Sequence, residues 1–418
     1  MMTNENKALL KARKMAYYAY QTVPLYMHLA KNVIDENIIF EELPYVSKEI
    51  YRQNEGLYLS QKYYKEISQD NLFQGTTSGS TGKVTNYFWD RSDEKKSLLE
   101  LWYYRNKYYN IHPHDKMCYF YPVEDKSIPY VLDKNVLGLS ENFITNGRLE
   151  ETLQYIMNFS PKWMILQPGV AWLLCNMIKK IKNNISITSV EYIEFTGEYL
   201  DEGIRNLVQE TFQCKTANQY GMREMNSIAY ECPEGHMHVM SGNVYVEIVN
   251  SDVNGIGDIC VTTLKNRAMP YIRYITGDKG RWKKLKCVCG NHNPIIEICN
   301  GRGTDWVKKI NGEILHPYII LDVINQINNT ENNCILQYQI IQKQIDYFQY
   351  NLVLDEEVDK NRIEQKICLM TAQSLQQEFD LEFRYYNEIL PDKKTGKIAR
   401  FYSEIGNRDQ TSRKGEIL

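Results

Sequence analysis

One stretch of the chain, Gln74 to Lys83, constrains the fold most, because its sequence QGTTSGSTGK offers little to a hydrophobic core. Its glycines and hydroxyl side chains leave backbone N–H groups able to turn inward onto an anion. A P-loop would need glycine six residues before the lysine and Ser or Thr directly after it, but those positions hold Thr77 and Val84. The spacing of dinucleotide-binding glycines is also missing. The stretch therefore predicts either an anion-binding loop of another kind or a flexible polar loop.

Length, charge and cysteine usage limit the class of protein. A chain of 418 residues is too long for one ordinary core, so two or more domains are expected. The formal net charge of −3 argues against nucleic acid or a membrane surface as the main partner. No apolar run is long enough to span a bilayer, and the N-terminus lacks a secretory-signal pattern. Ten cysteines without a disulfide-framework spacing indicate free thiols, so we expect a cytoplasmic protein.

The order of predicted elements indicates the fold class. Residues 1–36 read as mostly helical with a break at Pro24. Strand-like and helical segments then alternate over residues 117–212, which predicts an α/β architecture with substantial parallel pairing. A smaller module of mixed helices and strands follows Pro317.

Two segments of the N-terminal part resemble a known family. The run from Thr77 to Lys83 matches the Thr-Ser-Gly-Ser/Thr-Thr-Gly-x-Pro signature of adenylate-forming enzymes, the acyl- and aryl-CoA ligase superfamily, with Val84 in place of the proline. Upstream, Leu43-Pro44-Tyr45-Val46-Ser47-Lys48 resembles the first segment of the phenylacetate–CoA ligase branch, although it also reads as an ordinary helix–loop–helix entry.

Later segments match further motifs of that superfamily in the expected order. Gly197-Glu198 ends a predicted strand, and Tyr220-Gly221-Met222-Arg223-Glu224 matches Tyr-Gly-x-Thr/Ser-Glu with Arg223 in place of the hydroxyl residue. The resemblance implies that Tyr220 gives adenine a flat face, that Gly221 lets the backbone pass close to the nucleotide, and that Glu224 holds Mg²⁺. Singly, Tyr-Gly is a common strand end and Glu224 would usually be a solvated charge.

Three motifs lie further along the chain. Pro270-Tyr271-Ile272-Arg273-Tyr274-Ile275-Thr276-Gly277-Asp278 resembles the segment whose aspartate accepts hydrogen bonds from ribose, although Thr-Gly-Asp alone is a turn. Gly301-Arg302-Gly303-Thr304-Asp305 resembles the hinge motif, which implies a nucleotide contact from Arg302 and a pivot at Asp305. Pro391 to Lys397 fits the terminal Pro-x-x-x-x-Gly-Lys motif, with Lys397 as the catalytic lysine.

The resemblance runs from about Leu43 to Arg400 and implies an organisation and an activity. The implied fold is a large N-terminal α/β domain, residues 1–302, that binds ATP and substrate, and a small mobile α+β domain, residues 303–418, that carries Lys397. The implied reaction joins a carboxylic acid, aryl or similar, to AMP with release of pyrophosphate, and Lys397 and Glu224 are the catalytic residues. The implied nucleotide ligands are Thr77, Ser78, Gly79, Ser80, Thr81, Gly82, Lys83, Gly197, Glu198, Tyr220, Gly221, Asp278 and Arg302.

The acceptor of the acyl group stays open. Coenzyme A is the first choice that the family implies, and a carrier-protein thiol or an amine is the alternative. A non-catalytic nucleotide-binding module is a further alternative, against which the intact Glu224, Asp278 and Lys397 argue. The implied cofactors are ATP and Mg²⁺, with neither nucleic acid nor membrane as a partner, and a homodimer stays open.

A cysteine and histidine pattern predicts a metal site. Cys232 and His238 flank one predicted turn, and Cys287 and Cys289 belong to a Cys-x-Cys-Gly knuckle. Four such ligands suit tetrahedral Zn²⁺, which would be structural because no coordination position stays open. The two halves are far apart in the chain, so residue spacing alone fits free cysteines in turns as well as it fits a zinc site. His236 and His292 are rival candidates for the histidine ligand. The phenylacetate–CoA ligase-like resemblance implies this pair of segments and favours zinc.

Overall fold

The computed structural model describes most of the chain, and everything below concerns those residues. They are 4–29, 40–54, 56–67, 72–78, 84–121, 130–140, 149–180, 187–198, 200, 202–301, 307–312, 314–315, 317–331, 334–355, 358–387, 389 and 400–405. Within these ranges, no helix is long and apolar enough to cross a membrane.

The helices follow the predicted segments closely. They are α1 (Asn4–Thr22), α2 (Pro24–Leu29), α3 (Lys48–Gln53), α4 (Tyr64–Ile67), α5 (Arg91–Ser97), α6 (Leu99–Tyr109), α7 (Leu149–Phe159), α8 (Pro168–Lys180), α9 (Glu202–Phe212), α10 (Tyr318–Thr330) and α11 (Lys360–Leu375), with 3₁₀ turns at Phe40–Glu42 and Gln61–Tyr63. The predicted break at Pro24 is confirmed, because this residue begins α2, where its missing N–H costs nothing.

The strands are more numerous than the sequence indicated. They are β1 (Val46–Ser47), β2 (Leu72–Ser78), β3 (Val84–Asp90), β4 (Met117–Tyr121), β5 (Tyr130–Asp133), β6 (Val136–Ser140), β7 (Trp163–Leu166), β8 (Tyr192–Thr196), β9 (Lys215–Met222), β10 (Asn226–Glu231), β11 (Met237–Val239), β12 (Val244–Val249), β13 (Gly257–Thr263), β14 (Tyr274–Lys283), β15 (Ile295–Gly301), β16 (Val307–Lys308), β17 (Ile314–Leu315), β18 (Ile335–Gln344), β19 (Tyr347–Leu354), β20 (Asp380–Tyr385) and β21 (Phe401–Ser403).

The chain divides into two compact units, and the first comprises Met1–Asp115, Tyr192–Gly197 and Lys215–Gly301. Its strands pair in the order β12-β13-β14-β15-β11-β10-β9-β8, with β1 beside β14. Strands β8 and β9 are parallel, and so are β1 and β14, whereas the other neighbours run antiparallel. The parallel pairing predicted from residues 117–212 is present between β8 and β9, whereas the sheet over residues 215–301 is mainly antiparallel.

The amphipathic helix α1 covers part of this sheet. Ala12, Ala16 and Ala19 are fully buried in a cluster that also contains residues of β12 and β13. Their spacing puts them on one helical face, and their small side chains let the helix approach the strands closely. This face of α1 therefore closes part of the core of the first unit.

The second unit comprises Lys116–Glu191, Glu198–Cys214 and Arg302–Leu418. Strands β7, β4, β6 and β5 lie side by side, with β4 parallel to both β7 and β6. Near the C-terminus, β20-β19-β18-β21 form a four-stranded mixed sheet. Helices α10 and α11 pack on this sheet through a buried apolar cluster that includes Ile324, Phe348 and Ile367.

The predicted fold class is confirmed: the chain is a mixed α/β protein with a large sheet-rich N-terminal part and a small C-terminal part. The predicted domain boundary between residues 302 and 303 lies one residue from the unit boundary at Gly301. The sequence did not predict that residues 116–191 and 198–214 group with the C-terminal part in one compact unit. The domain ranges 1–302 and 303–418, and the mobility of the smaller one, stay predictions.

Candidate active site and metal centre

The glycine-rich stretch lies between the two strands of a hairpin. Strands β2 and β3 are antiparallel, and the last described pair opposes Ser78 to Val84, with Thr77 opposite Thr85. Gly79 to Lys83, including Ser80, Thr81 and Gly82, lie outside the described residues. The glycine-rich stretch is thus flanked by strands on both sides, whereas a P-loop would be followed by a helix.

Gly75 in this hairpin is sterically required. A Cβ atom built there would lie 2.2 Å from the ring of Tyr87 on β3, so the aromatic ring occupies the space that a side chain would need. Gly75 therefore keeps Tyr87 packed across the base of the hairpin.

Two motif residues that are distant in the chain meet in the first unit. The hydroxyl of Tyr220 on β9 donates a hydrogen bond of 2.8 Å to Asp278 Oδ2 on β14. The Asp278 N–H donates to Thr276 Oγ1 at 3.1 Å, and Gly277 between them has a φ of +88°, which favours glycine. The Thr-Gly-Asp segment is thus an irregular point within β14 that places Asp278 beside Tyr220.

The turn between β9 and β10 carries the predicted magnesium ligand. Glu224 is only 3% exposed, and its Oε1 lies 3.7 Å from Lys48 Nζ. Gly221 is required at the start of this turn, because a Cβ there would lie 2.3 Å from the backbone oxygen of Asn226. This close approach of backbone to backbone explains the glycine without reference to a ligand.

The turn and the glycine hairpin are neighbours. Trp89 on β3 donates its indole N–H to the backbone oxygen of Arg223 at 3.3 Å. Burial raises the pKa of Tyr87, and the charges of Arg223 and Glu224 also act on it. The carboxylate of Glu224 therefore lies close to the base of the hairpin that ends in Thr77 and Ser78.

The second unit fixes the side chain of Glu198. Its Oε2 accepts the N–H of Gly169 at 3.0 Å, in the first turn of α8, where helical N–H groups have no partner within the helix. Gly197, the last residue of the first unit in this segment, has a φ of +82°. Nucleotide contacts from Gly197 and Glu198 stay predictions.

Lys397, Arg302 and Asp305 lie outside the described residues, and their roles stay predictions. The motif that ends in Asp278 also contains Arg273, which lies within the described residues and contacts several distant segments of the chain. It is buried, donates to both carboxylate oxygens of Glu247 at 2.9 and 3.2 Å, and donates to the backbone oxygens of Glu41 and Leu43 at 2.7 Å. Within one motif, Arg273 therefore ties chain segments together while Asp278 meets Tyr220.

The four predicted zinc donors are brought together in the first unit. One donor atom from each of Cys232, His238, Cys287 and Cys289 lies within 4.8 Å of all the others. The Sγ atoms of Cys232 and Cys287 are 3.6 Å apart, and His238 Nε2 is 3.4 Å from Cys289 Sγ. The rival His236 also comes close, with its Nδ1 3.2 Å from Cys287 Sγ, whereas His292 is exposed.

Hydrogen bonds around the four donors suit a metal. His238 Nδ1 lies 3.1 Å from the backbone oxygen of Asn293, which leaves Nε2 to face the cysteines. Burial lowers the pKa of His238, which favours the neutral ring that a ligand requires. Burial acts to raise the pKa of Cys289, but hydrogen bonds from the N–H of Asn291 and the hydroxyl of Tyr108 lower it overall. Burial raises the pKa of Cys232 to about 12, so a metal would have to displace its proton.

Sequence reasoning missed the ion pair of Lys48 with Glu224, although Lys48 ends the Leu-Pro-x-x-x-Lys segment. It also missed a buried pair, in which Arg105 on α6 donates from Nε and Nη2 to the carboxylate of Glu194 on β8 at 2.8 and 2.5 Å. Tyr192 adds a hydroxyl bond of 3.3 Å to the same carboxylate. A lone arginine within a helix gives no sequence signal of such a partner.

Comparisons with known proteins identify the proteins that this chain resembles. Residues 310–403 match the CapK C-terminal domain family. A phenylacetate-coenzyme A ligase of Thermus thermophilus is 28% identical over 191 residues, 43% of this chain and 43% of that ligase. Protein CapK of Staphylococcus aureus is 22% identical over 353 residues, 82% of this chain and 74% of that protein.

The fold also matches a solved structure. A 2-hydroxyisobutyryl-CoA ligase in the postadenylation state, in complex with R3-HIB-AMP, superposes with a TM-score of 0.76 at 16% identity and covers 98% of this chain and 91% of that one. The Thermus alignment spans less than half of that ligase. The resemblance to the adenylate-forming superfamily, in its phenylacetate–CoA ligase-like branch, is confirmed.

Proposed function

We propose that this chain, as a member of that branch, activates a carboxylic acid with Mg·ATP as acyl-AMP and then transfers the acyl group to a thiol, with coenzyme A as the first candidate. The observation that carries the proposal is the hydrogen bond between Tyr220 and Asp278, which joins the adenine motif to the ribose motif. The neighbouring Glu224 and the glycine hairpin then supply the parts that a triphosphate requires.

Each part of the nucleotide has a candidate partner. The ring of Tyr220 offers a flat face to adenine, and the carboxylate of Asp278 accepts hydrogen bonds from ribose hydroxyls. The loop that follows Ser78 binds the phosphates through backbone N–H groups and hydroxyls. Glu224 is a hard oxygen ligand of the kind that Mg²⁺ prefers, and its Oε1 already faces one positive charge, the Nζ of Lys48 at 3.7 Å.

The first half-reaction sets two anions against each other. The substrate carboxylate attacks the α-phosphate, forms a carboxyl–phosphate bond and expels pyrophosphate. Positive charge must be present where negative charge develops, and Lys397 is the residue we assign to the carboxylate and the α-phosphate. Arg302 would hold the nucleotide, and a bound Mg²⁺ would offset the charge of the leaving pyrophosphate.

The second half-reaction exchanges AMP for a thiol. The sulfur attacks the acyl carbon, AMP leaves with the electron pair of the broken bond, and the thiol proton is released. We assign Asp305 as the pivot that moves Lys397 away between the two steps. A carrier-protein thiol or an amine would enter the same step and is distinguished by the experiment below.

We also propose that Cys232, His238, Cys287 and Cys289 hold a structural Zn²⁺. Three cysteines and one histidine are a ligand set typical of tetrahedral Zn²⁺. The Nδ1 of His238 contacts the backbone oxygen of Asn293, so its Nε2 is the nitrogen that would bind the ion. When bound, the ion would cross-link the two turns.

The activity is tested by pyrophosphate release with a panel of aryl and alkyl acids, followed by mass detection of a thioester after addition of coenzyme A. Lys397→Ala should abolish acyl-AMP formation and leave transfer from supplied acyl-AMP intact, whereas the matched control Lys394→Ala should keep both steps. Nucleotide binding without pyrophosphate release from any acid would favour a non-catalytic module. Pyrophosphate release without a thioester would point to another acceptor.

A further inference from the structure

An arginine lies against two aromatic rings in the second unit. The guanidinium carbon of Arg400 is 5.5 Å from the ring centroid of Trp172 and 5.5 Å from that of Tyr338. The two rings meet edge to face, with centroids 6.3 Å apart. Trp172 is 7% exposed and Tyr338 is 3% exposed, so the cation–π contacts are largely shielded from water, where they are strongest.

The three residues come from separate parts of this unit. Trp172 lies on α8, Tyr338 lies on β18, and Arg400 immediately precedes β21. The Arg400 oxygen accepts the N–H of Ile340 at 2.7 Å, and β21 runs parallel to β18. Arg400 and Tyr338 are therefore held together by the sheet, whereas Trp172 on α8 meets them through its indole ring.

Helix α8 connects the cluster to a predicted site residue. Its first turn is fixed by Glu198 through the Gly169 N–H, and Trp172 follows within one helical turn. On the other side, Lys397 precedes Arg400 by three residues. Three residues of extended chain span at most about 11 Å, so the position of Arg400 restricts where Lys397 can lie.

We propose that Arg400 and Trp172 are positioning residues for the adenylation step: they dock the C-terminal sheet on α8 and thereby hold the segment that carries Lys397 in place. This inference rests on the proposed function. The contact suits a reversible role, because the cluster can separate without breaking the ladder between β18 and β21. The transfer step, from which Lys397 is absent, does not need it.

The test uses the full chain and measures the two half-reactions separately. Arg400→Gln and Trp172→Leu should each slow acyl-AMP formation about tenfold or more, and should change thioester formation from supplied acyl-AMP by less than about twofold. Arg400→Lys keeps a cation over the rings and should retain most of the activity. The matched control Arg384→Gln removes an exposed arginine from the neighbouring β20 and should change neither step.

A second readout does not depend on activity. In Arg400→Gln, hydrogen exchange of residues 168–180 should rise while the melting temperature stays close to that of the parent chain. Unchanged exchange would overturn the docking contact, even if the parent chain activates no acid and the proposed function fails. An equal loss in both half-reactions would overturn the positioning role, because it would mark a purely structural contact.

Discussion

The hydroxyl of Tyr220 donates to Asp278 across two motifs that are 58 residues apart in the chain. This bond fixes the orientation of the tyrosine ring beside the carboxylate. The two motifs therefore form one structural element, which we propose as the binding site of the nucleoside.

Loss of the tyrosine hydroxyl should weaken nucleotide binding selectively. Tyr220→Phe keeps the ring but removes a hydrogen bond to a charged group, so we expect the KM for ATP to rise about tenfold with a smaller change in kcat. Steady-state kinetics of pyrophosphate release would measure this. Tyr103→Phe, at an exposed position on α6, is the matched control, and an unchanged KM in Tyr220→Phe would contradict the assignment.

Neutralising Glu224 should raise the magnesium requirement. Glu224→Gln keeps the shape of the side chain, and the partly exposed Lys48 can be solvated, so the fold should survive. We expect pyrophosphate release to fall by about a hundredfold, as for loss of a major electrostatic contact. Pyrophosphate release measured over a range of magnesium concentrations, for the parent chain and for Glu224→Gln, would test this. The control is Glu49→Gln, which alters the exposed carboxylate next to Lys48 in the sequence. A parent-like titration in Glu224→Gln would exclude Glu224 as a ligand.

Removing one cysteine should release the metal and lower stability. Chain purified without added zinc should contain about one equivalent, and Cys287→Ser should lose it together with much of the stability that the site supplies. Elemental analysis and thermal unfolding would measure these effects. Cys299→Ser, on β15 and outside the four donors, should behave like the parent. Less than about a tenth of an equivalent in the parent chain would contradict the zinc proposal.

Local signals in the sequence predicted much of this fold and site. The break at Pro24 follows from short-range chemistry, because proline lacks the N–H that continues a helix. The sequence predicted Cys232, His238, Cys287 and Cys289 as the donors, with His236 and His292 as rivals of His238, and the structure brings these four together. Burial of His238 and its bond to Asn293 place it among the four donors, and neither is visible in residue spacing.

Long-range partners were not predictable. The family resemblance implies a nucleotide contact for Glu198, which stays a prediction, and it did not indicate the hydrogen bond that Glu198 accepts from the N–H of Gly169 in α8. Lys48 was part of a recognised segment, yet its ion pair with Glu224 depends on how the start of α3 meets the turn between β9 and β10. Pairing of this kind is decided by tertiary packing, which short-range sequence patterns do not encode.

The buried pair of Arg105 and Glu194 should be costly to break on one side only. Arg105→Met would leave the Glu194 carboxylate buried without its cation, and we expect a loss of about 3–5 kcal/mol in the free energy of unfolding. The double variant Arg105→Met/Glu194→Met should be less destabilised than Arg105→Met alone, because no uncompensated charge remains. Chemical denaturation would measure both. If both variants lost the same free energy of unfolding, packing of the Arg105 side chain, and not the unpaired charge of Glu194, would account for the loss.

Acid should weaken the contact between α5 and the segment before β14. Arg267 donates to both carboxylate oxygens of Asp93 at 2.8 Å. Burial acts to raise the pKa of Asp93, but the hydrogen bonds and charge of Arg267 outweigh it and lower the pKa below its usual value. A carboxyl with a lower pKa in the folded than in the unfolded state stabilises the fold above the unfolded pKa of about 4, and this contribution is lost as the pH falls through the folded pKa.

The unfolding free energy of the parent chain should therefore fall more steeply below about pH 5 than that of Asp93→Asn, which has no proton to bind at this position. The Arg267 side chain is 51% exposed, so added salt should reduce the difference between the two proteins. Urea unfolding at a series of pH values would measure it. Asp133→Asn, which alters an exposed carboxyl on β5, should keep the steep fall of the parent. If Asp93→Asn lost stability in acid as steeply as the parent, the ion pair with Arg267 would contribute nothing to the fold.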